Sequence, residues 1–460
     1  MSKRFAWLLG VVVVVSIGLL VACGSKYSAS SDGLVLVTSQ GSGLVQTFSF
    51  NLSTGSTSGI YNSTSSTSNQ TCVLNGVPSQ IVVDPTGSFA YTIINADTSN
   101  CGSGSVGGIM AFQVNSNGTM SAGSLTSSQQ AKLQVCQAGQ LIDETVPVVP
   151  VALGMDSAGK FLFVANGSTT DSSDNAVPGS ISVFAIGSGG SLTEVVDPDP
   201  SKSSPFSLPG SCLVTPNFVA LAPTPTVFPG IGLNGVQTAV CSAPGTNPPT
   251  SEFLYVVDQS NNNAVWEFGV DTSTGALGNL PGFTTVQSIP AANVPSGIAV
   301  DPCDRFVYVS NFLSNNISAY KICNGGSTQP PDCSVTSGGD GSLRNVTGSP
   351  FSVSGGANGP GPLVVDPFGN DLYVLDTLSS MVSDFHISQI SGGLAIGTPA
   401  TVATGALPKS LAIRRDDSWL FVANYGAASF SRFSVTPATG ALTPQPTFDT
   451  DNSPWGVAVK

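Results

Sequence analysis

The sequence predicts an all-β protein, a seven-bladed β-propeller with four-stranded antiparallel blades. Three observations support this prediction. Glycine is abundant, with 52 residues, while charged residues make up only 9% of the chain against about 25% in an ordinary soluble protein. Hydrophobic residues make up 41%, which argues against a disordered chain. Short strand patterns recur about seven times, and four strands per repeated unit are typical of a propeller.

The first strand of each unit is marked by a proline, an apolar triplet and a residue six positions after the proline that is usually polar. The copy at 78–84, PSQIVVD, shows the full pattern. The copies begin at Pro78, Pro150, Pro216, Pro295, Pro360, Pro408 and Pro454. Asp-Pro turns follow at Asp84, Asp301 and Asp366. Because the Asp recurs, we expect it to have a structural role in the turn.

The second strand reads aromatic-x-aromatic-Val-x-Asn/Asp. Its period-2 alternation predicts a half-buried strand, and the terminal Asn or Asp predicts a turn. The copies are FLFVAN at 161–166, FLYVVD at 253–258, FVYVSN at 306–311, DLYVLD at 371–376 and WLFVAN at 419–424, with FAYTIIN at 89–95 as a shifted version. The third strand ends on an aromatic residue in all seven units, and a glycine turn then leads to the fourth strand.

The two ends of the chain complement one another. Residues 34–39 resemble a second strand with no first strand before it, and residues 454–460 resemble a first strand with nothing after it. Together they make one blade. We therefore expect the strand at 454–460 to join the N-terminal blade and close the ring, which leaves no open sheet edge.

Residues 1–22 have the features of a lipoprotein signal peptide. Lys3 and Arg4 precede an apolar run, and the run ends in LVACG, which resembles a bacterial lipobox. The resemblance implies cleavage before Cys23 and lipidation of that residue, with an uncleaved transmembrane anchor as the alternative. Residues 23–32 then form a lipidated flexible tether, and residues 33–460 form the propeller. Gly24 favours the outer membrane of the cell envelope.

The cysteine count fits this oxidising location. Nine cysteines less Cys23 leave eight, an even number that is typical of disulfides. In such a ring the first–second and third–fourth turns lie on one face, called here the lower face. The second–third turns and the inter-blade loops lie on the upper face. Face and blade adjacency favour the pairs Cys72–Cys101, Cys136–Cys212, Cys241–Cys303 and Cys323–Cys333.

The repeats resemble the YVTN-type propeller repeat and the seven-bladed lactonase-like family, which includes 6-phosphogluconolactonases. The resemblance covers residues 33–460 and depends most on FLFVAN and FVYVSN. It implies a lactonase activity with His, Glu and Arg at the channel mouth. The sole histidine, His386, is expected on a third strand away from the channel, so the activity is not carried over.

Two functions therefore remain open. Long insertions at 59–77, 96–107, 124–149, 166–180 and 197–215 are assigned to the upper face of blades one to four, which favours a binding or scaffold module. Neutral loop drift would leave the same pattern. The alternative is a lactone hydrolase that uses carboxylates and cations at the channel mouth. Its candidate residues are Asp258, Asp376, Lys409 and Arg414.

A ligand-binding rim is predicted from polar and aromatic residues at the ends of the strands. Its members are Gln80, Asn166, Asn311, Asn424 and Trp455. Because Asn or Asp recurs in most blades at one position, turn capping is the competing interpretation.

No cofactor and no metal site is predicted, since the chain has no CxxC pair and a single histidine. The net charge of −13 with 14 basic residues argues against nucleic acid. The expected partners are the membrane through the lipid anchor, and an envelope protein, a glycan or a small lactone or sugar.

Overall fold

Seven antiparallel sheets stand in a ring around a central channel in the computed structural model of the chain. The structure describes residues 32–54, 56–62, 76–95, 108–126, 130–137, 140–171, 173, 175–196, 204–207, 217–223, 252–260, 262–323, 333, 339–353 and 356–460. The expected signal peptide and all but the last residue of the tether lie outside this range. The first strand of the ring begins at Asp32, one residue before the predicted start of the propeller.

Blade one joins the two ends of the described chain. Its strands are β1 (Asp32–Ser39), β2 (Leu44–Asn51), β3 (Thr57–Asn62) and β35 (Pro454–Val459). The sheet order is β3-β2-β1-β35, which makes β35 the innermost strand. β35 pairs antiparallel with β1, with Val35 opposite Val459 and Val37 opposite Val457. The predicted closure of the ring by the C-terminal strand is therefore confirmed.

Blades two to four follow in chain order. Blade two contains β4 (Val77–Val83), β5 (Phe89–Asn95), β6 (Gly108–Val114) and β7 (Met120–Thr126), and the hairpin β8 (Gln130–Gln137) and β9 (Gln140–Pro147) comes after it. Blade three contains β10 (Val149–Met155), β11 (Phe161–Gly167), β14 (Ser180–Ile186), β15 (Leu192–Glu194) and β16 (Phe206–Ser207), with the small hairpin β12 (Thr169–Thr170) and β13 (Ala176–Val177). Blade four contains β17 (Phe218–Pro223), β18 (Glu252–Asp258), β19 (Ala264–Val270), β20 (Leu277–Gly278) and β21 (Gln287–Pro290).

Blades five to seven complete the ring. Blade five contains β22 (Pro295–Val300), β23 (Phe306–Asn311), β24 (Asn316–Ile322), β25 (Leu343–Asn345) and β26 (Phe351–Ser352). Blade six contains β27 (Pro360–Val365), β28 (Asp371–Asp376), β29 (Met381–Ile387) and β30 (Leu394–Ala403). Blade seven contains β31 (Pro408–Ile413), β32 (Trp419–Asn424), the 3-10 helix Tyr425–Ala427, β33 (Ser429–Val435) and β34 (Leu442–Asp449). In blades three, four and five the fourth strand is divided into two short pieces that pair with the same third strand.

The first strands contact one another in sequence around the channel, from β35 through β4, β10, β17, β22, β27 and β31 back to β35. A separate cluster of buried apolar side chains fills each of the seven interfaces between neighbouring blades. In blades three to seven every residue of the second strand is buried. The prediction of a half-buried strand is thus wrong, because each second strand packs against a neighbouring blade on both of its faces. No helix in the described part of the chain has the length and hydropathy needed to cross a bilayer.

The lower-face turns between first and second strands show why Asp recurs there. In blade three, Asp156 Oδ1 accepts hydrogen bonds at 2.7 Å from the backbone N–H groups four and five residues on. The turn also needs one left-handed residue, which is Gly159 in blade three with φ of +68°. Asp304 and Asp417 occupy this position in blades five and seven, with φ of 55° and 56°. The equivalent Asp84, Asp301 and Asp366 also accept backbone N–H groups of their turns, so the recurrent Asp has the structural role that was expected.

A hydrogen bond from a buried tyrosine links several neighbouring blades. The tyrosine is the third residue of the second strand motif, and its hydroxyl donates to the carbonyl of a turn glycine in the next blade. The pairs are Tyr91 with Gly190, Tyr255 with Gly341, Tyr308 with Gly392 and Tyr373 with Gly440. Blades three and seven carry Phe at this position and so do not form this hydrogen bond. In blade seven the Trp419 indole instead donates to the Leu52 carbonyl of blade one at 3.2 Å.

Candidate functional site

A channel of about 1360 Å³, lined by the first strands of the blades, runs through the ring. Most of its wall is apolar, because each first strand carries the apolar triplet seen in the sequence. Polar and charged side chains concentrate at the two ends. The upper mouth has Gln80, Ser296, Lys409, Ser410 and Trp455, and the lower mouth has Asp84, Arg414, Arg415, Asp416 and Lys460.

The upper mouth holds a cation between two aromatic rings. Lys409 and Trp455 are the second residues of the neighbouring first strands β31 and β35. Lys409 Nζ lies 4.9 Å from the centroid of the Trp455 ring and 5.8 Å from that of Tyr425. The two rings are 5.7 Å apart and nearly perpendicular, at 88°. All three side chains are partly exposed. We name them the Lys-Trp-Tyr cluster.

Tyr425 is the member of this cluster that the sequence argument missed. It begins the 3-10 helix after β32, and its backbone N–H donates to the carbonyl of Leu407 at 3.1 Å. The bond ties the second–third loop of blade seven to the loop before Pro408, and so brings Tyr425 beside Lys409. An aromatic residue directly after WLFVAN was the available signal, but the sequence does not show which loop it contacts.

Gln80 lines the channel as predicted for the rim, but its amide is used between blades. Its Oε1 accepts the backbone N–H of Leu153 at 2.7 Å, and its Nε2 donates to the Leu153 carbonyl at 3.4 Å. The side chain therefore joins blade two to blade three.

Asn166, Asn311 and Asn424 are buried rather than exposed at a rim. Each Nδ2 donates to serine hydroxyls on the third strand of its own blade. The donations from Asn166 reach Ser180 and Ser182 at 3.1 and 3.0 Å, and those from Asn424 reach Ser429 and Ser431 at 3.1 and 2.9 Å. The repeated position thus closes the second–third hairpin. The predicted ligand-binding role of these three residues is corrected to a structural one.

Asp258 and Asp376 occupy the same position in blades four and six, and neither lines the channel. Both are fully buried. Asp258 accepts hydrogen bonds from the backbone of Asn217 at 2.8 Å and from the Trp266 indole at 3.0 Å. Asp376 accepts one from Ser383 Oγ at 2.6 Å. Their predicted place at the channel mouth is therefore wrong, because the strand directs this residue into the hairpin.

Burial shifts the acidity of Asp376. Its Oδ1 has no hydrogen-bond partner, and burial raises its pKa to about 7, although the bond from Ser383 lowers it in part. A carboxyl in this position has no access to a ligand in the channel.

Arg414 lies at the lower end of the channel, where other blades have the turn Asp. Five residues of extended strand separate it from Lys409, or about 16 Å, so one small ligand cannot contact both. Arg414 Nη2 pairs with Asp416 at 3.1 Å, and its guanidinium lies 5.5 Å from the Phe50 ring centroid. Burial lowers the pKa of Arg414. The neighbouring Arg415 donates to the Pro85 carbonyl of blade two at 2.7 Å, across blade one.

Comparison with known proteins agrees with this architecture. Residues 246–340 and 342–458 match the family model described as Lactonase, 7-bladed beta-propeller. No curated protein sequence matches the chain significantly. Among solved structures, a periplasmic gluconolactonase of Pseudomonas aeruginosa superposes with a TM-score of 0.61 at 18% identity, covering 93% of this chain and 99% of that one. A putative 6-phosphogluconolactonase of Bacteroides fragilis superposes with a TM-score of 0.59 at 17% identity, covering 95% of this chain and 100% of that one.

The chain is a seven-bladed β-propeller whose C-terminal half matches the lactonase family model, and for that likeness we call it a lactonase-type propeller. At these identities the solved structures establish the fold alone, so the chemistry of this lactonase-type propeller depends on its own residues.

The described residues of the upper mouth do not include a base. A lactone hydrolase needs a group that activates water, and among the described residues no carboxylate or imidazole lies beside the Lys-Trp-Tyr cluster. His386 lies on β29, the third strand of blade six, as expected, with Nδ1 2.5 Å from Asp371 Oδ1. The cluster can instead hold an anionic group at its ammonium and the apolar face of a ring at its aromatics.

The disulfides of the lactonase-type propeller are described in part. Cys323 and Cys333 are joined, with their Cα atoms 5.5 Å apart, and this is the pair placed within one loop by the sequence argument. Cys303 is also disulfide-bonded. Cys23, Cys72, Cys101, Cys212 and Cys241 and the side chain of Cys136 lie outside the described residues, so the other three pairs stay predictions.

Proposed function

We propose that this lactonase-type propeller is a lipid-anchored, extracytoplasmic binding module that takes an acidic sugar at the upper mouth of its channel. The Lys-Trp-Tyr cluster is the observation that supports this function. Its aromatic rings offer a surface for the C–H face of a sugar, and the Lys409 ammonium offers a partner for a carboxylate. Within the described residues no carboxylate forms an ion pair with Lys409, so the cation is free to pair with a ligand.

We favour binding over hydrolysis because the carboxylates predicted as catalytic groups lie away from the Lys409 ammonium. The two carboxylates on which a hydrolase was predicted to depend, Asp258 and Asp376, are buried in hairpins. By their names, the solved gluconolactonases act on sugar lactones. A sugar acid has the same carbon skeleton, with the carbonyl carbon of the lactone present as a free carboxylate, so the same kind of pocket can bind it without a base.

The proposal is tested by calorimetric titration of the purified full chain with gluconate and glucuronate, and with glucose as the neutral comparison. We expect the acids to bind at least tenfold more tightly than glucose. Lys409→Met should remove this preference, because it keeps the length of the side chain but removes the charge. Trp455→Ala should weaken the binding of all three sugars.

A matched control is Lys160→Met, which removes an exposed lysine from the lower-face turn of blade three. It should bind like the unaltered protein. Equal binding of glucose and the acids, or the same loss in both lysine variants, would contradict the proposal. Hydrolysis of gluconolactone above the spontaneous rate in a pH-stat, abolished by Lys409→Met, would establish the hydrolase instead.

The lipid anchor is the second part of the proposal and depends on LVACG at 20–24. Cys23→Ser should move the protein from the membrane fraction to the soluble extract of a bacterial host and abolish the incorporation of labelled fatty acid. A variant that stays in the membrane fraction would favour an uncleaved apolar anchor.

A further inference from the structure

A second group of polar side chains lies away from the channel, at the lower end of blade six. Asp371 is the first residue of β28, and His386 is its partner across the sheet on β29. Asp384 lies two residues before His386, so it is on the same face of the sheet. The potential ligand atoms of these three residues all lie within 4.8 Å of one another. We name them the blade-six cluster.

Asp384 has no partner of its own. It is 2% exposed, and neither carboxylate oxygen forms a hydrogen bond. Burying an unpaired charge is costly, by several kcal/mol. The adjacent strand leaves room for the group, since a Cβ on Gly397 would lie 2.5 Å from the Asp384 carboxylate carbon. The blade therefore accommodates a buried carboxylate that accepts no hydrogen bond.

A further buried carboxyl lies close to the blade-six cluster. Asp417, in the left-handed turn of blade seven, is buried, and its Oδ1 has no partner. Burial, followed by the charges of Asp366 and Asp371, raises the pKa of Asp417 to about 8. Among the described residues, the one ion pair of the cluster joins two of its own members, His386 and Asp371.

We propose that Asp371, Asp384 and His386 bind a divalent transition-metal ion of the Zn²⁺ type. Two carboxylates and one imidazole are a donor set that suits Zn²⁺, and a water molecule can fill the fourth position. A Zn²⁺ ion lies about 2.0–2.2 Å from oxygen and nitrogen ligands, so ligand atoms within 4.8 Å of one another need only small side-chain movements. The His386 side chain is 42% exposed, which gives the ion a route from solvent.

The ion would also act at the junction between two blades. The Asp371 carboxylate lies against the third–fourth turn of blade seven, where a Cβ on Gly440 would be 2.4 Å from the carboxylate carbon. Asp417 reaches the same junction from the first–second turn of blade seven. A bound cation would offset the repulsion among these carboxylates and so stabilise the contact between blades six and seven.

The experiment is a calorimetric titration of the chelator-treated full chain with Zn²⁺, together with thermal unfolding with and without the ion. We expect one ion per chain and a higher unfolding temperature with Zn²⁺. Asp384→Asn and His386→Ala should each weaken Zn²⁺ binding at least tenfold. Without metal, Asp384→Asn should unfold at a higher temperature than the unaltered protein, because it removes the unpaired charge, and this shows that the variant is folded.

The matched control is Glu267→Gln. Glu267 holds the same position on the third strand of blade four, in VWEF against VSDF. It is buried and acidic, and burial raises its pKa to about 8, but it has no histidine beside it. This variant should bind Zn²⁺ like the unaltered protein. The absence of one-to-one binding, an equal loss in Glu267→Gln, or tighter binding of Ca²⁺ than of Zn²⁺ would overturn the proposal.

Discussion

At the scale of single residues, the last position of the second strand is occupied by two residue types, a neutral amide and an acid. The last residue of the second strand is Asn in blades three, five and seven and Asp in blades four and six. The Asn amides donate to third-strand serines, while Asp376 accepts from Ser383. A serine hydroxyl can donate or accept, so it suits either partner. The difference is that Asp brings a charge into a buried hairpin.

This difference predicts that Asp376→Asn stabilises the protein at alkaline pH. The folded pKa of Asp376 is about 7, above the value near 3.9 of an unfolded Asp. The folded state therefore binds more protons between these values, and the free energy of unfolding falls as pH rises from about 4 to about 7. The variant lacks this loss. Because the two pKa values differ by about three, its advantage should be on the order of 4 kcal/mol at pH 8 and should shrink toward pH 5.

Denaturant unfolding at pH 5 and pH 8 measures the effect. The reciprocal variant Asn311→Asp provides the control. It introduces a buried carboxyl at the equivalent position, so it should lower the free energy of unfolding more at pH 8 than at pH 5. An Asp376→Asn advantage of equal size at both pH values would show that the carboxyl does not titrate in this range.

At the scale of the strand, the buried tyrosine of the second strand connects neighbouring blades. The Tyr308 hydroxyl donates to the Gly392 carbonyl at 3.1 Å, and both groups are inaccessible to water. The turn glycine has φ of +75°, and a Cβ there would be 2.4 Å from the Phe306 ring. The buried hydrogen bond and the left-handed glycine that accepts it therefore occur together at this contact. The same bond is present at four of the interfaces between blades.

Tyr308→Phe should lower the free energy of unfolding by about 1–3 kcal/mol, because it leaves a buried carbonyl without its donor. Equilibrium unfolding of the variant is the measurement. Tyr425→Phe is the comparison, since its half-exposed hydroxyl forms no hydrogen bond in the described structure, and it should change stability little. Equal effects of the two variants would mean that the link between blades does not stabilise the ring.

At the scale of the whole molecule, stability depends on closing the ring. β35 covers the inner edge of β1, and its Val457 and Ala458 belong to the buried clusters on both sides of blade one. Deleting residues 454–460 should expose that edge and two blade interfaces together. We expect loss of the cooperative unfolding transition and association of the chains, measured by denaturation and by light scattering. Lys460→Ala, at an exposed position, should leave both unchanged.

The sequence predicted the ring better than the site. Blade number, ring closure and the Asp turns follow from local strand and turn signals. Lys409 and Trp455, which both follow the proline of a first strand, line the upper mouth. The burial of Asp258, Asp376 and the three Asn residues was offered only as the competing interpretation. The direction of a side chain at a strand end depends on its hairpin partner, which a linear pattern does not show.

The blade-six cluster was not predicted at all, for a related reason. Asp371 and His386 lie 15 residues apart and meet only through strand pairing. The room for Asp384 comes from Gly397 on β30, the fourth strand of the blade, and Asp417 belongs to another blade. Proximity across a sheet and between blades arises only when the ring has formed.

The seam between β1 and β35 also determines when the protein can be completed during its synthesis. The backbone N–H of Gly456 donates to Thr38 Oγ1 at 2.7 Å across 418 residues of chain. A ribosome adds about 5–20 residues per second, so β1 waits about 20–80 s for the strand that covers its edge. The first blade to leave the ribosome is therefore the last to be finished. Until β35 arrives, the inner edge of β1 is unpaired, and an unpaired strand edge can pair with the wrong partner.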